Sequence, residues 1–93
     1  MNSKVESYIG FAIRKGSVVF GVDNIVVYKK KMYLVLATKS LSANSVEKLK
    51  KYANERNIPF AEIDDFESLI KKNCKALAIC DKSLSDAIVE NLR

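Results

Sequence analysis

Chemistry has few places to start in this chain. There is no histidine, so the usual general base near neutral pH is missing. Cys80 is followed by Asp81, a thiol beside a carboxylate, but a cysteine ending an apolar run is ordinarily a core residue. Asp64 and Asp65 are adjacent; at a helix start they point in different directions and serve the helix dipole, not an acid–base pair. Cys74 and Cys80 alone cannot complete a four-ligand zinc site. No glycine-rich phosphate-loop spacing is present. These features predict a non-enzymatic protein with no metal and no cofactor.

What remains is recognition of charge. Between residues 10 and 31 the chain places Arg14-Lys15 before Gly16, and Lys29-Lys30-Lys31 after a short segment opened by Gly21. Backbone N–H groups at a helix start, flanked by Lys and Arg, form a seat for an anionic polymer. Asp23 and Asn24 project from the first turn after Gly21, where a carboxylate or amide meets the edges of unpaired or unusually paired bases. Arg14, Lys15, Lys29 and Lys30 are the expected phosphate contacts. Lys71, Lys72 and Asn73 add a basic tip before the last strand. Taken singly, Gly21 is also an ordinary turn glycine and Asp23 an ordinary helix-start residue.

The elements that must position these groups are legible from periodicity. Val5, Tyr8, Ile9, Ala12 and Ile13 fall on one helical face, with Ser3 and Glu6 at capping-box spacing and Gly16 as the stop. Residues 17–20 read as a short strand, free to lie at a sheet edge, and residues 21 to about 30 as a second helix with lysines in its last turn. The unbroken apolar run at 32–37 predicts a strand buried on both faces. A third helix runs from 42 to about 57, with Val46, Leu49 and Ala53 inward, because Pro59 excludes Ile58 from helical geometry. A strand at 60–63, a brief helix at 66–72, a buried strand at 76–80 and a final helix at 83–92 complete the order αβαβαβαβα. In the final helix Leu84, Ala87, Ile88 and Leu92 fall inward. That order predicts one α/β domain: a three-layer α-β-α sandwich around a four-stranded mixed sheet.

The 93 residues carry a net charge of +5, unevenly spread. Residues 1–51 hold ten Lys/Arg against three acids, and residues 52–93 hold six against eight. The localised positive field suits an anionic partner. No apolar run reaches the roughly eighteen residues that a membrane span requires, and residues 1–10 lack a signal-peptide pattern. A cytoplasmic monomer with reduced thiols is expected.

Four stretches together resemble one known family. They are Gly10-Phe11-Ala12 with Arg14, Gly16, Val18-Val19 and Gly21; Leu34-Val35-Leu36-Ala37 with Lys39, Ser40, Ser42 and Asn44; Asn57-Ile58-Pro59-Phe60; and Ala76 to Asp81 before a terminal helix. The pattern is similar to the kink-turn RNA-binding ribosomal proteins of the L-seven-Ae / L-thirty-e type, most of all their bacterial YlxQ-like branch. The resemblance implies the same three-layer sandwich and binding to structured RNA carrying a sharp kink, in rRNA or on the ribosome. It places Gly21 at the start of the recognition helix, Asp23 where the family has Asn, Asn24 where it has Glu, and Val27 where it has Lys. Asp lacks an amide donor and Val cannot reach a guanine edge. The alternative is therefore a protein-interaction module that keeps the fold without kink-turn recognition.

Overall fold

The sheet is the frame on which everything else is placed. In the computed structural model, which describes residues 3–64 and 74–92, the chain runs α1 (Ser3–Lys15), β1 (Val18–Phe20), α2 (Val22–Val27), β2 (Leu34–Thr38), α3 (Ala43–Glu55), β3 (Phe60–Ile63), β4 (Ala76–Ile79) and α4 (Lys82–Leu92). The strands lie in the order β1-β4-β2-β3. β4 is antiparallel to both β1 and β2, while β2 and β3 are parallel and joined through α3. The sheet is thus four-stranded and mixed, and β1 lies at one edge, the position the sequence left open. The helix expected at 66–72, Asp65, and the candidates Lys71, Lys72 and Asn73 lie outside the described residues.

The two central strands are buried along their whole length, yet they are not uniform. Because successive side chains alternate between faces, Leu34, Leu36, Leu77 and Ile79 pack with Val5, Ile9, Ala12 and Ile88 of α1 and α4. Val35, Ala37, Ala76 and Ala78 pack with Ile25, Leu49, Tyr52 and Ala53 of α2 and α3. Large aliphatics fill one face; smaller ones let the other pair of helices sit close. These two cores, one on each side of the sheet, make the three layers.

Helix ends follow local chemistry. Gly16 has φ 76° and closes α1 as a Schellman turn: Ser17 N–H donates to Ala12 O at 2.9 Å and Gly16 N–H to Ile13 O at 3.1 Å. Asn57, at φ 56°, does the same for α3, with Ile58 N–H on Ala53 O at 2.8 Å. Ser42 caps the start of α3 through Ser45 N–H. Asp81 Oδ1 accepts Leu84 N–H at 2.9 Å and caps α4.

Three details differ from expectation. α2 stops at Val27 and Tyr28 is already extended, because a Val-rich segment with only Ile25 fully buried lacks the propensity to continue. Lys29, Lys30 and Lys31 therefore belong to the link into β2, not to a helical last turn. β2 begins at Leu34, although Tyr33 N–H already donates to Ile79 O at 2.8 Å. On α4 the buried residues are Ser85 and Ile88, with Leu84 and Leu92 at the margin of the core.

Candidate nucleic-acid interface

The Gly21 turn sits where β1 ends opposite Leu77. Gly21 N–H donates to Ala76 O at 2.9 Å, and its carbonyl accepts Ile25 N–H at 3.0 Å. The backbone at Gly21 has φ 87° and ψ 148°, a conformation that side chains resist. A Cβ there would meet nothing nearer than Asn24 Nδ2 at 4.0 Å. Glycine is thus required by the backbone angle, not by close approach. With the Gly21 N–H committed to the sheet and α2 only six residues long, the helix start contributes little as an anion seat. That corrects the expectation drawn from the residue pattern.

Side chains around this turn form an open groove of about 650 Å³. Asn24 Nδ2 donates to Phe20 O at 2.9 Å, which fixes the amide and leaves its carbonyl oxygen to accept from a ligand. Asp23 is almost wholly exposed, with Lys48 Nζ 4.0 Å from its carboxylate. Lys48 and Lys75 line the same groove with Ser45. Neither lysine stood out in the sequence: Lys48 reads as one of several outward lysines of α3, and Lys75 as a strand flank. Only the pairing of β4 beside β1, with α3 over the sheet, brings them to Gly21. Cys74 also lines the groove.

The cations named by the sequence lie elsewhere. Lys15 pairs with Asp81, Ser17 O accepts Cys80 N–H at 2.8 Å, and Arg14 stacks on Phe11 with its guanidinium 5.0 Å from the ring centre. Lys29, Lys30 and Lys31 border Met32 and Tyr33, at the Ile79 end of β4. Gly21 is bonded to Ala76, at the other end of that strand. Four extended residues separate these ends by about 13 Å. The expected single rim of Gly21, Asp23 and Asn24 with Arg14, Lys15, Lys29 and Lys30 is therefore not formed. β1 and α2 carry the two cationic clusters away from the Gly21 turn and toward the Cys80 end.

Ionisation shows which groups are already spoken for. Lys15, together with the Leu84 N–H, holds the Asp81 carboxyl below the usual carboxylate range. Burial pushes the Cys80 thiol up, and the Tyr28 phenol is raised by its bond to that thiol. A protonated thiol beside a helix-capping carboxylate is poorly prepared for nucleophilic work. Cys74 and Cys80 are both free thiols, flanking opposite ends of β4. Six extended residues span roughly 20 Å, far beyond disulfide reach. Among the described residues no cluster of three or more acidic or Cys side chains could hold a metal, and no helix is long and apolar enough to cross a membrane.

No family model and no curated protein matches the chain. Among solved structures, a protein of unknown function from Bacillus halodurans C superposes with a TM-score of 0.86, covering 96% of each chain at 18% identity. At that identity the likeness is one of fold.

Proposed function

We propose that this chain is a cytoplasmic, non-enzymatic RNA-binding protein that docks structured, kink-turn-like RNA, of ribosomal or related origin, at the Gly21 groove. The observation that carries the proposal is the grouping of Asn24, Asp23, Lys48 and Lys75 around one open concavity. Asn24 is held by its own bond to Phe20, so its acceptor oxygen is presented without an ordering cost at the moment of binding. Asp23 offers a second acceptor to base amino groups, and the two lysines offer phosphate contacts. The family resemblance supports the same location, since it assigns recognition to the turn after β1. The groove replaces Arg14, Lys15, Lys29 and Lys30 as the set expected beside those base-facing groups.

The test is a titration of the full chain with a kink-turn RNA and a matched straight duplex at two salt concentrations. Tighter binding to the kinked RNA is expected, with a log–log salt slope of roughly −0.7 to −0.9 per phosphate contacted. No binding to either RNA at low salt would instead favour a protein-interaction module. One feature speaks for that rival: Val27, where the family carries a lysine, is 68% exposed.

A further inference from the structure

The far end of the sheet holds a second groove that the Gly21 site does not use. It has a volume of about 500 Å³ and is lined by the cations Lys29, Lys30, Lys31, Arg56 and Lys82. One carboxylate, Asp86, lies among them and already pairs with Lys82 at 2.8 Å. Among the described residues, no carboxylate neutralises Lys29, Lys30, Lys31 or Arg56. Two of these cations stack on aromatic rings in the same groove: Lys31 lies 5.3 Å from the Tyr33 ring centre and Arg56 lies 4.5 Å from that of Tyr52. Five like charges facing one carboxylate repel one another in the free protein, and an anionic ligand relieves that repulsion.

We propose that this groove is a binding site for the phosphodiester backbone of a single RNA strand. It rests on the RNA-binding proposal and extends it to a second contact area. Three consecutive exposed lysines in the link before β2, beside the half-buried Tyr33 ring and the exposed Arg56 guanidinium, match the pattern by which proteins track single strands: cations along the backbone, flat groups for the bases. The two grooves lie at opposite ends of α2 and α3. α2 begins at the Gly21 groove and ends at Val27, two residues before Lys29. On α3, Lys48 lines one groove and Arg56 follows the other end of the same helix. Eight helical residues advance about 12 Å, roughly two nucleotides of extended strand. An RNA held at its kink by Asn24 and Asp23 would lay an unpaired flank along α2 and α3 into the lysine groove. The site reads no sequence, because its contacts are to phosphate and to the faces of bases.

Fluorescence anisotropy of the full chain with labelled oligouridine tests this directly. Lys30→Glu combined with Arg56→Glu should weaken oligouridine binding roughly tenfold and flatten the salt slope by about 0.7 for each contact removed. For kinked and straight RNAs that both lack an unpaired flank, the ratio of affinities should be unchanged. Because Arg56 stacks on Tyr52, the pair Lys29→Glu and Lys30→Glu, both on exposed side chains, serves as the second variant and should show the same loss. Unaltered oligouridine affinity in either folded variant would overturn the groove, as would binding of a polyglutamate peptide there in preference to oligouridine. Absence of a kinked-over-straight preference in the wild type, with oligouridine binding intact and lost in both variants, would remove the Gly21 reading alone.

Discussion

At the Ala76 end of the sheet the chain turns on one positive-φ glycine, fixes an asparagine amide against its own backbone, and sets two lysines loosely around an open groove. At the Cys80 end it gathers a chain of consecutive lysines, an arginine and a further lysine with little to neutralise them. On the proposed function, one end would discriminate and the other attract. The contrast arises from strand geometry. Arg14-Lys15 and Gly21 are only a few residues apart in sequence, but β1 lies between them and delivers them to opposite ends of β4. Lys48 and Lys75 are far from Gly21 in sequence, and the fold brings them to it. Nearness along a chain predicts nearness in space inside a helix turn; across a strand it predicts separation.

The comparison is broken most severely at its backbone pivot. Gly21→Val forces a β-branched residue to φ 87° and should cost about 1–3 kcal/mol of stability, read as a lower urea midpoint, with loss of preference for kinked RNA. Next in size is charge reversal at the discriminating end. Lys48→Glu with Lys75→Glu should weaken kink-turn binding roughly tenfold and reduce its salt dependence. An unchanged slope would mean that these lysines touch no phosphate. Asn24→Ala should lower kinked-RNA affinity by about fivefold, near the value of one hydrogen bond, while leaving straight duplex nearly unaffected. Equal losses on both RNAs would show that Asn24 does not read structure.

Smaller effects belong to the framework of the attracting end. The Asp81 carboxyl is held down by Lys15 and by the α4 cap, so its folded pKa lies below its unfolded one. The stability it supplies is present above about pH 4 and is lost as pH falls through the folded value. Asp81→Asn keeps a capping oxygen but gives up the ion pair, and should flatten the acid limb of a thermal-stability profile. A profile identical to wild type would mean that the Lys15 pair contributes nothing. Least of all, Gly10→Ala inside α1 meets only the Arg14 side-chain tip at 3.7 Å and should raise stability by up to about 1 kcal/mol, without effect on either groove.

Much of the fold is legible in the order of residues alone. α3 ends at Glu55, ahead of the stop read from Pro59, because Asn57 closes it at φ 56°; the apolar run of β2, the strand at 60–63 and the stop at Gly16 each act through local chemistry, and each held. The end of α2 did not, because its length depends on how far its valines can be packed, which is decided by the sheet beneath. Gly21, Asp23 and Asn24 were findable because they share one turn. Lys48 and Lys75 were not, since a lysine on an exposed helix face or strand flank carries no mark of what lies opposite. Tyr52 and Ser85 escaped for a related reason: a polar-tipped side chain reads as surface until a neighbouring layer covers it.

An amide chemical-shift map of the full chain titrated with kink-turn RNA tests most directly where recognition resides. Shifts concentrated at Gly21, Val22, Asp23, Asn24 and Lys75, with a weaker set at Lys29, Lys30 and Lys31, are predicted. Shifts confined to the Cys80 end, with the Gly21 turn unmoved, would contradict it.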